Sequence, residues 1–429
     1  MKRKLIGISL TILALIMLGL GSMWYYMQTK AFMETAGQEV TKAASDALGV
    51  QISVSDIELK SINAVELHNV AIYDKQAECL VRADNALINY RLLAVLTAPA
   101  EAVKEVVVEN AAANIIKRTD GSWNYEDLMS DSASSQSFHG LIKIKNSTVN
   151  VSQDGKVISF SDVNGKVDFA DYPLAKFEVA AGNAGAQFEA AGTVRAERQI
   201  VNIKASNVDL TNYMTWLPEG IMPENTNFTN GVIKAVSLHV LHDGSKLSYS
   251  GEADFVDGKV TVEQTVVDNI AGHINFTDAE ALLNVNAEAN QQKVNVHGKI
   301  SLADGSPYLN LTVTATDFDI AKVLTNIPYQ GAVNFSANIT GSTSDPLIDG
   351  NIKIAAGKLQ GISFSNASAK LRYQNEHIFA QDLQADIFSG HVAGEAVINT
   401  RDFSYTAHIK AGDIDIAAMK TALSLEGMT

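Results

Sequence analysis

The hexamer Asp317-Phe318-Asp319-Ile320-Ala321-Lys322 returns as Asp413-Ile414-Asp415-Ile416-Ala417-Ala418. A looser copy, Asn207-Val208-Asp209-Leu210-Thr211-Asn212, precedes both. Each copy closes a stretch in which apolar and polar residues alternate. Period two is the spacing of a strand, because successive side chains point to opposite faces. Self-similarity at a period of roughly 100 residues implies units that stack side by side. Such arrays make long surfaces rather than compact catalytic pockets, so the expectation is a binding or conduit protein.

The alternation is dense from residue 140 onward. Leu247, Tyr249, Gly251, Ala253 and Phe255 interleave with Ser248, Ser250, Glu252 and Asp254. Leu283-Val285-Ala287, Leu309-Leu311-Val313-Ala315, Val333-Phe335-Ala337-Ile339 and Phe403-Tyr405-Ala407-Ile409 follow the same rule. Asp154-Gly155, Asp243-Gly244, Asp257-Gly258 and Asp304-Gly305 are read as hairpin turns, since both residues tolerate positive φ. Antiparallel meanders are therefore expected. After each hexamer a short helix is predicted: 211–217, 321–326 and 417–423.

Composition excludes several classes. The net charge is −15, with no basic cluster beyond the first four residues, so a nucleic-acid partner is not expected. The single cysteine, Cys79, rules out an internal disulfide framework and a Cys-based zinc site. It reads as a small apolar residue on a strand.

Lys2, Arg3 and Lys4 precede an apolar run from Leu5 to about Met27, and Trp24, Tyr25 and Tyr26 stand at its far end. About 20 helical residues cross a hydrocarbon core of roughly 30 Å, and aromatic rings favour the interface. The basic tip would stay cytoplasmic. A cleaved signal peptide is the competing reading, but no small-x-small site follows directly.

The expected organisation is a cytoplasmic tip and anchor (1–30), a helix plus mixed α+β segment (31–130) and a Ser-rich linker (131–139). Three β-groove repeats follow (140–230, 231–330 and 331–429).

Catalytic signals are weak. Asp317-x-Asp319 and Asp413-x-Asp415 could pair two carboxylates on one strand face for a cation. The same position also precedes a predicted helix, where Asp209, Asp319 and Asp415 would accept orphan backbone N–H groups. Recurrence in every unit favours the capping role. His239 and His242, three apart on a strand, point to opposite faces. No nucleophile elbow, phosphate loop or zinc-protease helix occurs, so no catalytic residue, metal or cofactor is expected. The apolar strand faces remain. On alternation alone an ordinary two-sheet sandwich would hide them.

The chain resembles the AsmA-like superfamily, and its TamB branch most. The resemblance is carried by the anchor, Ala47-Leu48-Gly49-Val50-Gln51-Ile52, Glu66-Leu67-His68-Asn69-Val70-Ala71-Ile72-Tyr73-Asp74 and Tyr90-Arg91-Leu92-Leu93. Ile116-Lys117-Arg118-Thr119-Asp120-Gly121-Ser122-Trp123-Asn124 and the segment Gly341–Gly350 add to it. The C-terminal domain that ends such proteins is not evident, which suggests an N-terminal part or a shortened member.

The resemblance implies a mainly β fold: a transmembrane helix, then an elongated groove formed by one curled antiparallel sheet with short interspersed helices. It places the protein in the bacterial inner membrane, single-pass, with its bulk in the periplasm. It implies phospholipid carriage between the membranes, with the inner membrane and phospholipids as partners. The groove-lining candidates are Tyr249, Phe255, Leu283, Val285, Leu311, Val313, Phe335 and Ile339. Two other readings are an assembly factor for outer-membrane β-barrel proteins, working with their assembly machinery, and an envelope scaffold without ligand.

Overall fold

The computed structural model describes residues 49–92, 94, 102–129, 138–195, 197–216, 226–244, 246–262, 265–302, 307–322, 329–343, 345–402 and 404–422, with isolated positions 29, 38, 41, 42 and 45. The chain has two compact units. One is Met1–Lys204 with Leu241–Leu247, the other Ala205–Val240 with Ser248–Thr429. The fold is mainly β, with 23 strands and a few short helices among the described residues.

The first unit holds β1 (Ile52–Ser53), β2 (Asp56–Ser61), β3 (Ala64–Tyr73), β4 (Cys79–Tyr90), β5 (Val103–Ile116), β6 (Leu141–Gln153), β7 (Lys156–Asp168), β8 (Ala175–Asn183) and β9 (Ala186–Arg195). Strand β10 (Arg198–Asp209) crosses from this unit into the second. Neighbours pair antiparallel, as the meander pattern predicts, with one exception. Strands β5 and β6 run parallel, Val107 facing Lys143 and Ala113 facing Val149. A parallel pair needs a crossover rather than a tight turn, and residues 117–140 supply it.

That crossover is fastened to β5 by Asn124, in a 3₁₀ turn at Asn124–Met129. Asn124 is 1% exposed; its Oδ1 accepts from the Ile116 backbone N–H at 2.9 Å and its Nδ2 donates to the Asn114 carbonyl at 2.8 Å. Arg118 donates to Asp127 at 2.6 Å and to the buried Asp74 at 3.1 Å. The Arg118 guanidinium, with help from the Lys75 backbone N–H, holds the Asp127 carboxyl below the usual range. Leu67, Ala71, Leu80, Ala83, Ala86, Val107, Ala111 and Val163 are the buried apolar residues around which this unit packs.

The second unit holds most of β11 (Thr226–Asp243) and of β12 (Lys246–Val262), then β13 (Thr265–Thr277), β14 (Glu280–Ala289), β15 (Gln292–Ser301), β16 (Tyr308–Phe318), β17 (Tyr329–Gly331), β18 (Val333–Ser342), β19 (Pro346–Leu359), β20 (Ile362–Gln374), β21 (His377–Ile387), β22 (Gly390–Asn399) and β23 (Tyr405–Gly412). From β12 on, each strand is antiparallel to the next, except that β16 pairs with β18 and β17 with β19. The repeat is visible as three strands and a helix. Strands β14–β16 lead into a short turn at Ile320–Lys322, and β21–β23 into an α-helix at Ile416–Ala422.

Asn and Asp residues in the left-handed region interrupt the strands at regular places. In the first unit these are Asn69, Asn110, Asn146 and Asp162. In the second they include Asp257, Asn269, Asp317, Asn366 and Asp382. Short polar side chains tolerate this conformation, and most of these positions coincide with register shifts. Those at register shifts are bulges, which bend a strand and increase its twist.

Asp257-Gly258 is one of them. It lies inside β12 rather than in a turn, which corrects the hairpin reading. An Asp-Gly pair suits a bulge for the same reason that it suits a turn. Asp154-Gly155 does form the β6–β7 hairpin, with φ of 52° and 76°.

Among the described residues no helix is long and apolar enough to cross a membrane. The expected anchor, with Lys2, Arg3, Lys4, Trp24, Tyr25 and Tyr26, lies outside the described residues, as do most of the 31–49 helix and residues 130–137 of the linker.

Candidate functional site: the apolar face of the second unit

Residues directly opposed in an antiparallel pair point to the same face, so the register assigns faces strand by strand. Phe255 opposes Gly272, then Val285, Val296, Val313 and Ala337 continue that row. A second row runs Ile274, Leu283, Gly298, Leu311, Ile339, Ile348 and Tyr373. Phe335 opposes Ala315 and Ile352. Tyr249 lies two residues before Gly251, which opposes Phe276, and its ring is 6.4 Å from that of Phe276. The eight candidate lining residues therefore share one apolar face. The opposite face carries the row His273, Asn284, His297, Thr312, Asn338, Asp349 and Arg372.

The state of the apolar face separates a groove from a sandwich. A second sheet packed face to face would bury it. Seven of the eight residues are half-buried and Tyr249 is 38% exposed, so none belongs to a closed core. The face is a single layer that leaves apolar surface available.

Glycine lets the strands approach closely along this face. Gly298, at φ 141°, has the Asn310 carbonyl oxygen in the space a β-carbon would need, and Gly394 meets the His408 carbonyl in the same way. The bulge in β21 keeps the face apolar where parity would otherwise reverse it. Ala380 opposes Ala396, and after Asp382 the next inward residue is Leu383, opposite Gly394.

The hexamers sit at one end of the strands. Their first acidic or amide residue, Asn207, Asp317 or Asp413, is left-handed at φ 54°, 52° and 56°. Their second caps the helix. Asp209 accepts from the Thr211 N–H at 2.9 Å, Asp319 from Ala321 at 3.1 Å, and Asp415 from Ala417 and Ala418 at 2.9 and 3.1 Å. Asp317 thus sits at a backbone bulge, whereas the Asp319 carboxylate caps a turn. Gln292, buried at the start of β15, accepts from the Asp319 backbone N–H at 2.9 Å, and Asn290 donates to the Lys322 carbonyl at 2.9 Å. Beneath this cap Ala315, Phe318, Tyr329 and Val333 are buried, and Phe318 meets Phe335 edge to face at 5.4 Å.

One constellation escaped the sequence reading. Glu58, Glu66 and His68 converge on the β2–β3 hairpin, the one group of three or more metal-ligand types gathered this closely among the described residues. Glu58 directly opposes Glu66, and the Lys60 ammonium bridges the two carboxylates at 2.8 and 2.6 Å. The hydrogen bonds that Lys60 donates to these carboxylates raise its pKa. His68 Nδ1 lies 2.7 Å from Asn85 Oδ1. Only the strand register brings these residues together. His239 and His242 are not part of it.

The family model described as the TamB C-terminal domain matches residues 283–404. That match supports a TamB/AsmA-like family assignment. This TamB-type segment runs from within β14 to the turn after β22 and contains six of the eight candidate lining residues. It also overturns the expectation that the C-terminal domain is not evident: the later part of the second expected repeat and most of the third match that domain. The match points to an envelope-associated β-groove protein. No curated protein and no solved structure matches it.

Proposed function

We propose that this TamB-like chain binds phospholipid acyl chains on the apolar face of its second unit and conducts them between the inner and outer membranes. The N-terminal apolar run would anchor it in the inner membrane with the bulk in the periplasm. The observation that carries the reading is the continuous, half-exposed apolar face from β12 to β20, with a polar face behind it. Each methylene moved from water onto such a face gains about 0.8 kcal/mol, enough in sum to hold an acyl chain without a headgroup pocket. No catalytic group enters this reading.

The experiment is mass spectrometry of lipid co-purifying with the full chain, compared with Leu311→Glu and Val313→Glu variants. Bound lipid lost in both variants, with the circular dichroism of the wild type retained, supports the reading. A wild-type protein free of lipid sinks it. A second reading, an assembly factor for outer-membrane β-barrels, draws on β23. Its residues are all exposed and it pairs with β22 along one edge. A free strand edge can template another strand. That reading predicts capture of barrel proteins instead of lipid.

A further inference from the structure

The polar face of the second unit is not flat. It carries a pocket of about 430 Å³ over β13–β16, whose lining includes Asn269, Glu288, Lys293, Asn295, Thr314 and Thr316. The register puts these side chains behind the apolar face. Glu288 opposes Lys293, and Asn295 opposes both Asn286 and Thr314, all in the parity of Asn284 and His297.

The same arrangement occurs twice in this unit, and the two copies differ. In each, a left-handed asparagine at a bulge donates to an acidic residue on the next strand: Asn269 to Glu288 at 3.0 Å, and Asn366 to Asp386 at 2.7 Å. In each, that acid directly opposes a basic residue one pair from the hairpin turn, Lys293 or His391. Opposite charges so placed ordinarily pair. In the later copy they do, with His391 Nδ1 3.2 Å from Asp386 Oδ1. In the earlier copy the described residues include no ion pair between Glu288 and Lys293, and Glu288 is turned to Asn269 instead. The side chains of Thr314 and Thr316 have no hydrogen-bond partner among the described residues either. What is a closed ion pair in one copy is an open pocket in the other, with one cation and one carboxylate at its wall.

We propose that this pocket binds a sugar acid, a ring of hydroxyls bearing one carboxylate. Lys293 takes the carboxylate, because a charge-assisted hydrogen bond to an ammonium is the strongest contact on offer there. Thr314, Thr316 and the Asn295 amide both donate and accept, as ring hydroxyls do. Glu288 accepts from a hydroxyl through the oxygen that Asn269 leaves free. The volume suits a small organic ligand, for which pockets start at roughly 300 Å³. A bare anion would leave most of it to water, and the polar lining offers nothing to an acyl chain. The inference does not depend on the lipid reading, since it uses the opposite face.

The test is saturation-transfer difference NMR on the full chain, with glucuronate, glucose and acetate as separate probes. Glucuronate is expected to receive saturation. Lys293→Met and Thr314→Val should each weaken its binding about tenfold, while His391→Ala in the later copy leaves it unchanged. Lys293 is exposed, so its variant tests binding without disturbing the sheet. No transfer to glucuronate, or transfer that survives both pocket variants, overturns the proposal. Acetate displacing glucuronate at equal concentration would reduce the site to a single cation and overturn the sugar. Glucose binding as tightly as glucuronate would overturn the role of Lys293 and with it the acid.

Discussion

The carbonyl oxygen of Asn310 occupies the space that a β-carbon on Gly298 would fill. The two residues are on paired strands β15 and β16, and Gly298 is left-handed in addition. Gly298→Ala therefore combines backbone strain with a clash against main chain. It is expected to cost about 2 kcal/mol or more. Gly412→Ala, with open space around its α-carbon, is the control and stays within about 0.5 kcal/mol. Denaturant unfolding of the two variants side by side checks this.

Asp319→Ala removes the acceptor for the Ala321 N–H. Loss of a cap costs about 1 kcal/mol. Asp319→Asn, which keeps an acceptor oxygen, recovers most of it. Faster hydrogen exchange at Ala321 in the alanine variant alone is the expected readout.

Asn146 holds φ 47° in a bulge of β6; its Nδ2 donates to Asn110 Oδ1 at 2.7 Å and its backbone N–H donates to Asn164 Oδ1 at 3.0 Å. Asn146→Gly keeps the left-handed backbone accessible. Asn146→Ala does not, and is expected to be less stable than the glycine variant by about 1 kcal/mol. Equal melting temperatures for the two variants would mean that the bulge is held by something other than this residue's conformation.

Arg118 sets the acid response of the first unit. Its guanidinium lowers the Asp127 pKa in the folded chain, while the unfolded value is about 3.9. The folded state thus binds fewer protons, and the contribution of Asp127 is fully present above that value. It is lost as pH falls through the depressed folded pKa. Thermal melts should show stability falling from about pH 4 downward, and Asp127→Asn should flatten that slope. Glu105, lowered chiefly by its hydrogen bond with Lys143, adds a slope of the same sign that the Asp127 variant leaves in place.

Much of this architecture is legible in the sequence because side-chain parity is local. Leu311 and Val313 announce their common face by being two apart, and the hexamers mark where strands end. The rest depends on what lies opposite. Asn146, Asn269 and Asn366 read as ordinary wet-face residues until the register shows two residues facing one. Glu58, Glu66 and His68 meet only because the β2–β3 turn folds them together. The β5–β6 direction leaves no trace in the alternation, since parallel and antiparallel strands carry the same period. The C-terminal TamB domain was hidden for a related reason: Leu283 to Ser404 repeats the pattern of the strands before it.

The parallel joint has a kinetic meaning. Hairpins such as β6–β7 close through two-residue turns, so their pairing begins between neighbours in the chain. Strands β5 and β6 must wait for residues 117–140 to loop round, and a longer loop costs more entropy to close. The meander before this joint and the meander after it can each zip independently. In a pulling experiment on the first unit, β5 and β6 are the neighbours that should part as a single step, dividing the unit into two pieces that each keep their own hairpins.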